Sequence, residues 1–117
     1  MGKKILIVDD SMMMRKMIVK VLEDAGHKVV GEATNGEQAV ELYGTVSPEI
    51  VTMDITMRGM DGLTAAKEIF KIDPQARILF LSNLNEDKYG AEIDAIGGVG
   101  LVNKHKAAEI LSMVDRV

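Results

Sequence analysis

The feature that most constrains the fold of this sequence is an alternation of short apolar runs with longer segments of helical periodicity. The unit occurs five times, with apolar runs at residues 4–8, 28–31, 49–53, 76–81 and 100–102. Repeated strand–helix units predict a parallel sheet with helices on both faces. The predicted strands do not alternate polar and apolar residues, which supports a parallel sheet because such a sheet is buried on both sides. We therefore expect an α/β fold with a five-stranded parallel sheet and five helices.

Signals at the helix ends support this division of the chain. Ser11 and Gly26 are placed to cap the first helix at its two ends. Asn35 is placed to begin the second helix, with Gln38 positioned to complete a capping box. The fourth helix, expected over residues 85–96, is the weakest because a glycine interrupts it.

Size and composition exclude several classes of protein. A chain of 117 residues fits one domain, so residues 1–117 are expected to form a single domain. The sequence contains no Cys, which excludes disulfides and thiolate chemistry. Lys and Arg number 14 against 18 Asp and Glu, and this charge of −4 argues against a nucleic-acid binder. No apolar run approaches the roughly 20 residues of a membrane span. We expect a soluble cytoplasmic domain that inserts into no membrane.

Polar residues stand where four of the predicted strands end. Asp9 and Asp10 follow the first strand, Asp54 the third, Ser82 the fourth and Lys104 the fifth. In an open α/β sheet the ligand site lies beyond the carboxyl ends of the strands, near the switch in strand order. The sequence therefore predicts that these five side chains meet at one edge of the sheet.

These residue types suit phosphoryl-transfer chemistry. Three carboxylates at one edge repel each other, so the pKa of one should be raised unless a cation intervenes. Mg²⁺ would relieve the repulsion, since it binds carboxylates together with water and phosphate oxygens. Asp54 could act as a nucleophile and form an aspartyl-phosphate. Lys104 could neutralise the phosphoryl charge and Ser82 could donate a hydrogen bond to it. The alternative is that each acid is a solvated turn residue or, like Asp10, helps to begin a helix.

The sequence resembles the receiver domain of two-component response regulators over essentially the whole chain. The resemblance rests on five segments: residues 5–11 (ILIVDDS), 51–55 (VTMDI), 60–62 (MDG), 81–82 (LS) and 102–104 (VNK). It implies the strand order 2-1-3-4-5 of the flavodoxin-like fold. It also implies that a histidine kinase phosphorylates Asp54, and that Mg²⁺ is held by Asp9, Asp10, Asp54 and the main-chain carbonyl of Thr56.

Within the family, the sequence resembles free-standing, chemotaxis-like regulators. The chain ends after the predicted fifth helix, so no effector domain is expected, and the start of the first helix (SMMMR) also resembles that branch. The resemblance implies two partners, a sensor histidine kinase and a downstream target protein, and we expect a monomer. No enzyme activity is expected beyond self-phosphorylation and self-dephosphorylation.

Other functions remain as alternatives. One is a binding module of the same fold that phosphorylation does not regulate, and another is an intermediate in a phosphorelay. An aspartate-nucleophile phosphatase of the haloacid-dehalogenase kind is disfavoured, because that family requires a second Asp two residues after the nucleophile, where Thr56 stands.

The sequence departs from the family pattern at four positions, one of which is Asn83, where a small residue usually follows the hydroxyl position. Arg58 and His105 stand where proline is usual, and Leu101 stands where Tyr or Phe is usual. The family holds the peptide bond after the lysine in the cis form, which without proline would cost about 2.5–4 kcal/mol. We therefore predict a trans bond between Lys104 and His105, with the ammonium less closely directed at the phosphoacceptor. His105 and His27 are both expected on the surface.

Overall fold

The computed structural model describes residues 2–83 and 87–117, in which five strands alternate with five helices. In chain order the elements are β1 Lys4–Val8, α1 Met12–Asp24, β2 Lys28–Ala33, α2 Gly36–Val46, β3 Ile50–Asp54, α3 Gly62–Ile72, β4 Ile78–Ser82, α4 Gly90–Ile96, β5 Gly100–Asn103 and α5 Ala107–Arg116. A short 3-10 turn, Asp87–Tyr89, precedes α4. Within the described part of the chain, no helix is both long enough and apolar enough to span a membrane.

The strands form one parallel sheet in the order β2-β1-β3-β4-β5, which confirms the predicted fold. The order reverses direction between β1 and β3. Val8 is paired with Met53, and Asp54 is paired with Leu81. The carboxyl ends of β1, β3 and β4 therefore lie side by side at the position where this fold leaves a crevice.

The sheet divides the apolar core into two layers. Leu6 and Val8 of β1 face the layer that α2, α3 and α4 cover, whereas Ile5 and Ile7 face the layer that α1 and α5 cover. All four side chains are fully buried. This burial on both faces explains why the strands are continuous apolar runs rather than alternating ones.

The cap of α2 differs in detail from the predicted capping box. The side chain of Asn35 accepts a hydrogen bond of 2.8 Å from the N–H of Gln38, as predicted. The carboxamide oxygen of Gln38, however, accepts from the N–H and the hydroxyl of Thr34, one residue before the cap. The predicted cap of α1 is present, since Ser11 Oγ accepts from the N–H of Met14 at 3.2 Å.

Several element boundaries differ from the sequence prediction, among them those of β2 and the fourth helix. β2 continues to Ala33, beyond the predicted 28–31, because parallel pairing with β1 continues to that residue. The fourth helix was expected over 85–96, but the structure has an α-helix only over Gly90–Ile96. The first residues of that prediction lie outside the described part of the chain, which omits 84–86.

At the edge of the sheet opposite the strand-end residues, a cluster that we call the clasp joins the start of β1 to the end of α5. The ammonium of Lys3 donates to the carbonyls of Val114, Asp115 and Val117 at 2.6, 3.0 and 3.0 Å. His27 completes the clasp: its Nδ1 accepts from the N–H of Lys3 at 3.0 Å and its Nε2 lies 2.7 Å from Asp115 Oδ1. The prediction that His27 is a surface residue is therefore wrong, since only 8% of it is exposed.

Candidate functional site

The strand-end residues predicted to form a site meet at one edge of the sheet. Asp54 and Ser82 are the last residues of β3 and β4, and Asp9 and Asp10 follow β1 directly. Lys104 follows β5, and its N–H donates to the main-chain carbonyl of Ser82 at 2.9 Å. Four of the five are buried, whereas Asp10 is exposed. The site therefore has a buried floor and a solvent-facing acid at its rim.

The three carboxylates form a compact group. Each of Asp9, Asp10 and Asp54 offers an oxygen atom, and these atoms all lie within 4.8 Å of one another. The ammonium of Lys104 lies 3.4 Å from Asp9 Oδ2 and 3.5 Å from Asp54 Oδ2. Both are long contacts for an ion pair, so the lysine bridges the two buried acids without closing tightly on either.

The second oxygen of Asp54 has no hydrogen-bond partner among the described residues, although it is fully buried. A buried carboxylate oxygen without a partner is costly, so such an atom indicates a ligand. Carboxylate oxygens are the donors that Mg²⁺ prefers, and the acid group therefore fits this ion. Thr56 is exposed and lies two residues beyond Asp54, between β3 and α3. That the main-chain carbonyl of Thr56 binds the metal stays a prediction.

The electrostatic surroundings raise the pKa of Asp54 from its ordinary value of 3.8 to about 7. Burial is the largest cause, and the negative charge of Asp9 adds to it. Lys104 opposes the rise through its charge and its hydrogen bond, and Asp10 makes a smaller contribution that raises the pKa. The prediction that one acid of the group would have a raised pKa is confirmed, and the acid concerned is the predicted nucleophile.

Local contacts hold the acidic turn after β1. Asp9 Oδ1 accepts from the N–H of Ser11 at 2.8 Å, which leaves Oδ2 directed to Lys104. The guanidinium of Arg15 donates to the main-chain carbonyl of Asp9 at 2.8 Å and pairs with Glu32 at 3.3 Å. Arg15 is not among the site residues predicted from the sequence. The sequence signal that could have indicated Arg15 is its position four residues after Ser11, the residue that caps α1, because residues four apart lie on the same side of a helix.

The loop after β3 is closed at its base by a glycine. The N–H of Gly62 donates to the carbonyl of Ile55 at 2.8 Å. A Cβ atom at this position would collide with the main-chain carbonyl oxygen of Asp54. Asp61 then begins α3 by accepting from the N–H of Thr64 at 2.8 Å. The segment at 60–62 therefore sets how closely the loop approaches the end of β3.

The positions that depart from the family pattern lie around this site. No cis peptide bond occurs in the described residues, which confirms the trans bond predicted after Lys104. His105 is exposed as predicted, and its N–H donates to Asn103 Oδ1 at 2.8 Å. Leu101 is half-buried and packs against the core layer of α2, α3 and α4. Arg58 is exposed.

The sequence matches a known protein family over nearly all of its length. The response regulator receiver domain family matches residues 5–115. The chain belongs to this family. Receiver domains of this type are signalling modules rather than enzymes of a catalytic family, and the resemblance found in the sequence is confirmed.

Relatives of this receiver domain include chemotaxis proteins. It is 47% identical over 120 residues to the chemotaxis protein CheY of Thermotoga maritima, covering 99% of this chain and 100% of the relative. It is 54% identical over 119 residues to CheY of Bacillus subtilis, covering 99% of this chain and 98% of the relative. The matches therefore extend over nearly the full length of both proteins.

Solved structures share the same fold. The receiver domain superimposes on a chain of the CheX–CheY–BeF₃–Mg²⁺ complex from Borrelia burgdorferi with a TM-score of 0.91 and 31% identity, covering 97% of this chain and 87% of that chain. It superimposes on chemotaxis protein CheY4 of Vibrio cholerae with a TM-score of 0.90 and 27% identity, covering 100% of this chain and 99% of that chain.

Proposed function

We propose that this receiver domain is a phosphorylation-dependent switch. Asp54 accepts a phosphoryl group from a sensor histidine kinase in a Mg²⁺-dependent reaction, and the phosphorylated form binds a downstream target protein. The observation that carries the proposal is the Asp54 carboxylate. It is fully buried, it has an oxygen with no partner among the described residues, and it lies within reach of a lysine and two further acids.

In the proposed reaction, a carboxylate oxygen of Asp54 forms a bond to phosphorus while the bond from phosphorus to the kinase histidine breaks. The electron pair of the broken bond stays with the imidazole nitrogen, and because the other ring nitrogen of the phosphohistidine carries a proton, the leaving group is neutral imidazole. Lys104 is placed to neutralise charge on the transferred group, since its ammonium already lies 3.5 Å from Asp54 Oδ2. Ser82, at the end of the neighbouring strand, is the candidate hydroxyl donor.

Asp54 must be ionised to attack, and its raised pKa opposes this at neutral pH. When bound, Mg²⁺ supplies positive charge that favours the ionised carboxylate and neutralises phosphoryl oxygens. Asp9, Asp10 and Asp54 are the carboxylates that would hold the ion, with the main-chain carbonyl of Thr56. The exposed Asp10 leaves the ion a route from solvent.

The relatives support the signalling part of the proposal. Those at 47% and 54% identity are chemotaxis proteins, and the Borrelia burgdorferi structure contains a CheY together with CheX and Mg²⁺. By analogy we infer a chemotaxis-type output in the cytoplasm, through a protein target rather than through nucleic acid. The net charge of −4 is consistent with a protein target.

Mass spectrometry of the intact protein tests the chemistry. After incubation with Mg²⁺ and a small phosphodonor, the wild type should gain about 80 Da, the mass of one phosphoryl group. Asp54→Asn should gain nothing, whereas the control Asp94→Asn, at an exposed position of α4, should react like the wild type. An adduct that survives Asp54→Asn, or that forms equally with a chelator present, would contradict the proposal. No adduct on the wild type would favour a binding module that is not phosphorylated.

A further inference from the structure

We propose that Glu37 is a positioning residue of the magnesium site, acting through the loop that joins β3 to α3 at residues 55–61, which we call the β3–α3 loop. The proposal rests on the proposed function, because it concerns the ion that the acid group would hold. Glu37 lies in the first turn of α2 and is not one of the carboxylates of that group. Its effect must therefore pass through the loop.

The carboxylate of Glu37 holds the backbone of the β3–α3 loop directly. The N–H of Met60 donates to Glu37 Oε1 at 3.0 Å. Gly59, one residue earlier, has a φ of +75°, a conformation that side chains rarely adopt. A Cβ at Gly59 would lie 3.5 and 3.6 Å from the two carboxylate oxygens of Glu37. The carboxylate is thus hydrogen-bonded to the loop at Met60 and lies on the side of Gly59 where a side chain would project.

The residue before Glu37 reinforces this contact. A Cβ atom at Gly36 would lie 2.7 Å from the carbonyl oxygen of Met60 and 2.8 Å from its side chain. The start of α2 therefore packs against the loop backbone without an intervening side chain. Two adjacent positions of α2, one through close packing and one through a hydrogen bond, fix the place of Met60.

These contacts complete the anchoring of the segment that carries a predicted metal ligand. At its base, the loop is closed by the hydrogen bond from Gly62 to Ile55. Towards its other end it is held at Met60 by Glu37. Thr56, whose main-chain carbonyl is the predicted ligand, lies between the two anchors. Releasing either anchor should let that carbonyl move relative to the acid group.

Glu37 also carries a negative charge near the site. The effect of that charge on metal binding has to be distinguished from the effect of the hydrogen bond to Met60. Glu37, Asp10 and Arg58 line one cavity of about 610 Å³. A charge in this cavity acts on a bound cation through space, whereas the hydrogen bond acts through the loop. Glu37→Gln removes the charge and keeps an oxygen that can accept from Met60.

Isothermal titration calorimetry of MgCl₂ into the full chain tests the proposal. Glu37→Ala should weaken Mg²⁺ binding by about tenfold, the lower end of the effect of losing a residue that supports a metal ligand. Glu37→Gln should weaken it by less than about threefold, because the hydrogen bond is retained. Glu41→Ala is the matched control: it removes the same charge from an exposed position one turn further along α2 and should change binding by less than about twofold.

Hydrogen exchange of the Met60 amide, measured without Mg²⁺, gives a second result. Exchange should be faster in Glu37→Ala and near wild type in Glu37→Gln. The proposal is overturned if Glu37→Ala binds Mg²⁺ within twofold of the wild type, or leaves Met60 exchange unchanged. It is also overturned if Glu37→Gln or Glu41→Ala weakens binding as much as Glu37→Ala. Wild-type protein that binds no Mg²⁺ would instead refute the metal requirement of the proposed function.

Discussion

Asp54→Asn should make the metal-free protein more stable above neutral pH. The wild-type carboxyl is buried beside Asp9, and these surroundings raise its pKa to about 7 in the folded protein, against an ordinary value of 3.8. The folded state therefore binds this proton more tightly than the unfolded state does. The resulting stability is fully present below the unfolded pKa and is lost as the pH rises from about 4 to about 7. Asn keeps the shape of the side chain and carries no charge.

The size of the effect follows from that difference in pKa. About three pKa units, at about 1.36 kcal/mol each, correspond to about 4 kcal/mol when the group is fully ionised. We expect the free energy of unfolding of Asp54→Asn to exceed that of the wild type by about 2–4 kcal/mol at pH 8. At pH 5 this difference in stability should be smaller by about 2–3 kcal/mol. Mg²⁺ at a hundred times its dissociation constant should stabilise the wild type by about 2.7 kcal/mol and narrow the gap at pH 8.

The assay is urea unfolding with a chelator present, at pH 5 and pH 8, with Asp94→Asn as a control for the loss of an exposed acid. The free energies of unfolding are compared between variants at the same pH, so that other titrating groups cancel. The argument would be refuted if the difference in free energy of unfolding between Asp54→Asn and the wild type were the same at both pH values. It would also be refuted if Asp54→Asn were less stable than the wild type at pH 8.

Three other substitutions probe a buried hydroxyl of β3, the lysine of the site and the glycine at the base of the loop after β3. Thr52→Val should stabilise the protein by about 1 kcal/mol in urea unfolding, because the hydroxyl of Thr52 is buried and has no partner among the described residues; a less stable variant would contradict this. Lys104→Met should lower stability at pH 8 without Mg²⁺ by about 3–5 kcal/mol, because it leaves Asp9 and Asp54 without their shared cation; unfolding curves that coincide with the wild type would show that the lysine is dispensable. Gly62→Ala should cost at least about 2 kcal/mol, since its Cβ meets the Asp54 carbonyl, and should slow phosphorylation measured by mass spectrometry; wild-type stability and rate together would show that the loop yields freely.

Patterns along the chain predicted most of the architecture. The apolar runs located the five strands, and they were clearest in β3 and β4, where every residue is buried because helices cover both faces of the sheet. The clustering of Asp9, Asp54 and Lys104 also followed, because parallel strands bring their carboxyl ends to one edge. The strand order itself came from the resemblance to a family, since local patterns do not say which strands are neighbours.

Contacts between distant residues could not be predicted in the same way. His27 has an ordinary position after a helix end, and its burial depends on Asp115, which is 88 residues away. Glu37 contacts Met60 across 23 residues, and the sequence gives no sign of which acid of a helix start will face a loop. In both cases the fold places a residue that is distant in the sequence next to the side chain. Local secondary-structure propensity carries no information about which residue that is.

The clasp between Lys3 and the end of α5 bears on the order of assembly. Its donor and acceptors are separated by 111 to 114 residues. The entropy lost in closing a chain segment grows with its length, so contacts of this separation follow the local strand–helix units. β1 lies between β2 and β3 in the sheet, and its amino end is held by β2 as well as by α5, since the N–H of Lys28 donates to the carbonyl of Lys3 at 2.9 Å. The three hydrogen bonds from Lys3 to the end of α5 can therefore form only once α5 is in place, so they report that this helix has docked.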